Sequence, residues 1–246
     1  MSNRLGSTSD KITLYPFLGY DSTSGIGPRQ ESEDYLLDMK VRIQAEYDID
    51  DDPTQTGLID LGELRFTLIR MGSALNEGFH FHTLFDSSQS LSDLGGALYE
   101  PDFSEFVEPI RDRFSSAEPF EDLLYLRSLT VAPFARGQRL GISALHRVIN
   151  DWESGCALVA LQAKPLQFER GIRAESRWEK LALASLSQDG EIATAKLENH
   201  YRGLGFDSLD DIPYMLMCPK QRQMPVDEQA LVHSIDLSLE ELEQAL

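Results

Sequence analysis

Cysteine is nearly absent from this chain: Cys156 and Cys218 are the only two among 246 residues. With neither CxxC spacing nor a set of half-cystines, a disulfide framework is excluded, and a reducing, cytoplasmic compartment is the simpler expectation. Long apolar runs are also missing. No window approaches the roughly eighteen apolar residues that cross a bilayer, and the opening MSNRLGSTSD lacks the apolar core of a secretory signal. Neither secretion nor a membrane role is therefore expected. Basic charge is scarce as well, with 22 Lys and Arg against 41 Asp and Glu and a formal net charge of −19. A nucleic-acid surface needs a basic footprint, and no basic tail or stripe is present, so nucleic acid is not an expected partner. The acidic excess favours solubility and, weakly, cationic partners.

What the chain does contain is enough apolar material, 41% of residues, to bury a core. Residues 1–32 are rich in Ser, Gly, Asp and Pro and read as a loose N-terminal arm with one apolar island, Ile12 to Phe17. From Tyr35 to Tyr47, Met39, Val41, Ile43 and Ala45 recur with period 2. A second strand is predicted from about Gly62 to Met71, with Leu64, Phe66 and Leu68 on one face. Together they predict a long antiparallel hairpin. Asp48, Asp50, Asp51 and Asp52 at its tip lack calcium-loop spacing and read as a solvated turn. In GFHFHTLFD, His80 and His82 share a face only on a strand. No further Cys or His pattern completes a metal site, so none is predicted. A helix is expected around Phe103 to Arg111.

The stretch Leu123 to Trp152 organises the rest. Leu123 to Val131 is a buried strand whose alternation sets Tyr125, Arg127 and Leu129 on one face and Leu124, Leu126, Ser128 and Thr130 on the other. A turn at Ala132-Pro133 and a short basic segment lead into an amphipathic helix from about Gly141, with Ile142, Leu145, Ile149 and Trp152 as its stripe. His146 beside that stripe reads as a packed imidazole. CALVAL, Cys156 to Leu161, has the form of a strand buried on both faces. Strand, helix and strand in this order predict a parallel crossover in an α/β (α+β) fold with a mixed central sheet. Its loop leaves backbone N–H groups free at a helix N-terminus, the physical basis of an anion site.

VAPFARGQRLG, Val131 to Gly141, resembles the acyl-coenzyme A binding motif of the GCN5-related N-acetyltransferase (GNAT) superfamily, R/Q-x-x-G-x-G/A after a strand ending in V-x-P. The matched positions are Arg136, Gly137, Gln138, Leu140 and Gly141, whereas Arg139 stands where the family has its middle glycine. Downstream, Tyr201-Arg202-Gly203-Leu204-Gly205-Phe206 is similar to the Y-x-x-L-G-F ending of the superfamily's last helix, and PYMLM, Pro213 to Met217, comes after it as a terminal strand. The resemblance implies the acyl-CoA N-acyltransferase fold over about 33–220, with acetyl-coenzyme A as acyl donor. It implies a primary amine of a small molecule or peptide as acceptor, and the net charge mildly favours a polycationic one such as a polyamine.

By the same resemblance, the pantetheine arm pairs with strand backbone near Leu129 to Val131. The amides of residues 137–141 cradle the pyrophosphate, with Arg136 and Arg139 as local cations. Tyr201 takes the place of the thiol-protonating acid. Glu121, His80 and His82 are candidates for the base, and a held water fits equally well. If the turn needs a positive φ at 139, the family's glycine is replaced at a demanding position. The alternative is a catalytically silent coenzyme A binding or protein-interaction module of the same fold.

Between Leu161 and Tyr201, Trp178, Leu181, Ala182 and Leu186 form an apolar face over two turns, and a second helix is predicted from Glu191 or Ile192 to Tyr201. Gln167, Glu169, Arg173 and Glu175 have the character to line a polar pocket, but the simpler reading is a solvated loop without assigned roles. Residues 221–246 are a linker and an amphipathic helix. Ser238 to Glu241 has capping-box form, and Leu231, Ile235, Leu239, Leu242 and Leu246 make a stripe. That stripe suits docking on its own domain or on a second copy in a homodimer.

Overall fold

Alternating strands with one apolar face must bury that face, and here a single sheet does so with helices on both sides. The structure is a computed structural model that describes residues 11–22, 31–48, 56–222, 232, 234–238 and 241. In chain order the strands and helices are β1 (Lys11–Leu14), β2 (Pro16–Asp21), β3 (Leu36–Asp48), β4 (Thr56–Ile69), α1 (Met71–Asn76), α2 (Phe81–Phe85), α3 (Gln89–Leu98) and α4 (Glu108–Arg113). Next come β5 (Asp122–Val131), α5 (Leu140–Trp152), β6 (Cys156–Leu161), α6 (Ser176–Lys180), α7 (Gly190–Arg202), β7 (Asp207–Ser208), β8 (Met215–Met217) and β9 (Ile235–Ser238). Seven strands form one mixed sheet in the order β2-β3-β4-β5-β6-β8-β7, and β1 pairs with β9 in a separate two-stranded sheet. No described helix is long and apolar enough to cross a membrane.

The expected hairpin is β3 and β4, and β4 begins earlier than its apolar alternation suggests. Of the acidic tip, Asp50, Asp51 and Asp52 lie outside the described residues, and Asp48 ends β3. Met39, Val41, Ile43 and Ala45 are buried on one face, as are Leu64, Phe66 and Leu68. One face of the sheet carries α1 to α4, whose Met71, Leu84, Leu94 and Ile110 pack with Ile69, Leu123, Tyr125 and Leu158. On the other face Leu145, Val148 and Ile149 of α5 pack on Leu64, Phe66, Leu124, Leu126 and Val159. Full burial of each such side chain contributes about 1.5–3 kcal/mol, enough to hold α5 on the sheet. His146 is buried beside Asn150, whose amide nitrogen is 3.4 Å from the ring.

Both ends of the chain depart from expectation. Pro16–Asp21 is no loose arm but the edge strand of the main sheet, paired with β3 from Lys40 to Ala45, because Leu18 can join the α5-side core. Ile235 belongs to a strand rather than to a helical stripe. In β9 the alternation of Ile235 and Leu237, both buried against Leu14, Ile43 and Ala45, fits period 2 better than 3.6. The capping box does form, with the Ser238 and Glu241 backbone N–H groups donating to each other's side chains at 2.8 and 3.2 Å. Leu231, Leu239, Leu242 and Leu246 lie outside the described residues.

Candidate functional site

The site grows out of an irregularity in β5. Phe66 pairs with Leu126 and Arg65 with Ser128, so Arg127 is an extra residue, a β-bulge opposite β4. The bulge reverses the facing of the rest of the strand. Leu129 and Val131 join the α5-side cores that also hold Leu124 and Leu126, and the strict alternation predicted from sequence fails at this one residue. Beyond the bulge β5 also loses its other neighbour. Its parallel pairing with β6 runs only from Asp122 with Cys156 to Leu126 with Leu161, while β4 stays with β5 as far as Val131. The two parallel strands part there, and backbone groups of 127–131 that point away from β4 face a cavity.

That cavity has a volume of about 670 Å³ and is lined on the strand side by Tyr125 to Val131. Its other walls come from 162–187 and from one face of α7, where Ala193, Lys196, Leu197, His200 and Tyr201 recur at helical spacing. The expected two-turn helix in the 162–187 segment is shorter. It stops as α6 at Lys180, because Ala182 turns left-handed with φ 42°.

Past Arg136, the loop from β5 to α5 has two left-handed residues, Gly137 at φ 79° and Arg139 at φ 59°. A positive φ is therefore built at the position where the motif's middle glycine is replaced, and Arg139 adopts it as the N-cap of α5. The N–H groups of Gly137, Gln138 and Arg139 donate to no acceptor among the described residues, and the first turn of α5 adds further amides without intrahelical partners. The exposed Arg139 side chain has no partner there either. Gly141 allows the close approach of helix to strand, since a Cβ on it would lie 3.2 Å from Val131 Cγ2 and 3.3 Å from Leu129 Cδ2.

The remaining motif residues serve the scaffold. Arg136 lines the cavity, but its Nε donates to the Val131 carbonyl at 3.0 Å and its Nη2 to the Leu181 carbonyl. It ties the end of β5 to the cavity wall, and burial lowers its pKa. Gln138 clasps β9, accepting from Asp236 N–H and donating to the Asp236 carbonyl, both at 3.0 Å. Leu140 is buried in the core beneath β9. Of the eight residues expected to hold the cofactor, Leu129, Val131 and Arg136 line the cavity, whereas Gly137 to Gly141 do not, and Leu140 is in the core.

Tyr201 does line the cavity. It is half-buried against Phe206, and its hydroxyl has no hydrogen-bond partner among the described residues. Burial pushes its phenol up to about 12. Glu121 does not reach the cavity: it precedes β5 at the end opposite the bulge and accepts two hydrogen bonds from Lys220 Nζ, both at 2.7 Å. His80 caps α2 and His82 lies in it, edge-on to Phe103 at 4.4 Å, and neither lines the cavity. Glu169 and His200 do, and they are the side chains there able to accept a proton. No group of three or more His, Cys, Asp or Glu among the described residues could hold a metal.

Compared with family models, curated proteins and solved structures, the chain matches none.

Proposed function

We propose that this chain is an N-acetyltransferase that moves an acetyl group from acetyl-coenzyme A to a primary amine, with an acyl-CoA N-acyltransferase fold. One observation carries the reading. The parallel pair β5 and β6 parts after Leu126, the opened edge of β5 lines a cavity that also contains Tyr201, and β5 leads on past Arg136 into a loop whose 137–139 amides have no acceptor among the described residues. An extended pantetheine arm suits such an edge, because an open strand offers N–H and C=O groups to any chain of amides laid beside it. The amides of 137–139 and the α5 N-terminus suit a pyrophosphate, and the exposed Arg139 guanidinium adds charge at that place.

The chemistry then rests on proximity. The neutral amine attacks the thioester carbonyl, a C–N bond forms, the C–S bond breaks, and sulfur leaves as a thiolate that takes its proton from solvent, while the amine gives its own proton to an acceptor in the cavity. Tyr201 is un-ionised at pH 7, so its phenol donates a hydrogen bond to the sulfur as negative charge builds there. A phenol near 12 is a weaker acid than a thiol near 8.5, so this donor stabilises the departing sulfur and does not hold the proton loss as a separate step. Glu169 and His200 are the cavity's acceptors for the proton that the amine gives up.

The test is thiol release from acetyl-coenzyme A in the presence of an amine panel, with Tyr201→Phe alongside. Turnover that falls about tenfold or more in the variant, with donor affinity unchanged, supports the assignment. Donor binding without turnover of any amine would favour the silent binding module instead.

A further inference from the structure

We propose that the acceptor carries an anionic group, a carboxylate or phosphate, beside its amine; this deepens the transferase reading and rests on it. The net charge of −19 favours a polycationic acceptor, but the cavity has the opposite character. Its lining holds Arg65, Arg127, Arg136, Lys164, Arg177 and Lys196, against Glu169 as the single carboxylate.

In a chain with 41 acidic and 22 basic residues, carboxylates are in excess, and many cations outside the cavity are ion-paired, among them Lys40, Arg42, Arg113, Arg147 and Lys220. The side chains of Lys164, Arg177 and Lys196, all exposed, have no hydrogen bond or ion pair among the described residues. Arg65 is paired with Glu63 at 2.6 Å, and Arg127 reaches Asp38, its only acidic contact among the described residues, at 3.5 Å. A concave surface lined mostly by one sign of charge raises the local concentration of the opposite charge.

The donor does not account for these cations. The part of it that would lie along β5 is the uncharged pantetheine arm, while its pyrophosphate belongs at residues 137–141, outside the cavity lining. A volume of about 670 Å³ shared with that arm leaves room for a small acceptor.

Four-carbon amines matched in length make the test: 4-aminobutyrate, butylamine and putrescine, with 3-aminopropyl phosphate to separate phosphate from carboxylate. Each is assayed for acetyl transfer and titrated by calorimetry without donor. The parent is compared with a Lys164→Gln, Arg177→Gln, Lys196→Gln triple variant and with Lys180→Gln, an exposed cation of α6 outside the lining. The expected result is a kcat/KM for an anionic amine about a hundredfold above that for putrescine. In the triple variant the KM for that amine rises about tenfold or more, acetyl-coenzyme A affinity stays within about twofold, and Lys180→Gln changes neither. Equal or better turnover of putrescine or butylamine overturns the proposal. So does a triple variant that loses donor affinity in place of acceptor affinity. Failure of acetyl-coenzyme A to bind would sink the transferase reading by itself, while the donor-free titrations would still decide whether the cavity takes anionic amines.

Discussion

Arg139 gives a test of backbone geometry that is independent of any ligand. It sits at φ 59° and ψ 9°, where an L side chain costs about 1–2 kcal/mol. Replacing it by Gly removes that strain and adds about 0.5–1 kcal/mol of conformational entropy to the unfolded chain. Replacing it by Ala keeps the strain. Both variants lose the same charge, so the difference between them isolates φ. Arg139→Gly should be more stable than Arg139→Ala by about 0.5–1 kcal/mol, the reverse of their order inside a helix. For a chain of this size that is a Tm higher by about 1–4 °C. Urea and thermal unfolding of the two proteins side by side measure it. An Ala variant as stable as the Gly variant, or more so, would refute the left-handed turn at 139 and the amide cradle built on it.

Three further outcomes rest on the same geometry. Tyr201 has its phenol raised from 10 to about 12 by burial, so the stability held by its neutral form is complete below about pH 10 and is lost as pH rises toward 12. Tyr201→Phe should flatten that part of a stability profile between pH 9 and pH 12, read by urea midpoints. Gly141→Ala would press on Val131 and Leu129 at 3.2–3.3 Å, so acetyl-coenzyme A affinity should fall several-fold. Its stability should change by no more than about 1 kcal/mol, because improved helix propensity offsets the crowding. Glu121→Gln should leave acetyl transfer unchanged and stability nearly so, since the Lys220 pair it breaks is partly exposed at the far end of β5; a large loss of kcat would return Glu121 to the chemistry.

Much of the fold is legible in the sequence because the responsible residues speak through local period. Met39 to Ala45 and Leu64 to Leu68 alternate, Leu145 to Trp152 recur at helical spacing, and CALVAL is apolar throughout, so β3, β4, α5 and β6 can be read directly. The bulge at Arg127 cannot, because inserting one residue into a ladder depends on the partner strand and leaves no composition signal. Without it, plain alternation assigns Leu129 to the wrong face. The chain ends escape a periodic reading for another reason: β1 and β9 are short segments stabilised by pairing with each other across more than two hundred residues, a contact that propensity does not contain.

Among the site residues, Tyr201 and the loop are visible as motifs, whereas Lys164, Glu169, Arg177 and His200 carry no motif of their own. A signal does exist for part of that wall. Ala193, Lys196, Leu197, His200 and Tyr201 share one face of α7, and a helical stripe that mixes apolar and titratable residues differs from the purely apolar stripe of a core helix. Glu121 is misplaced as a base because its nearness to β5 in sequence says nothing about which end of that strand the cavity occupies.

Calorimetric titration of the purified chain with acetyl-coenzyme A, with free pantetheine as a second titrant, decides whether the β5 edge and its loop form a thioester site. Donor binding is expected in the micromolar range, about −8 kcal/mol, weakened by Arg139→Gln and by Gly141→Ala. Pantetheine should compete for the same site with lower affinity. A well-folded protein that takes up neither compound would contradict the assignment of that edge and loop to a thioester.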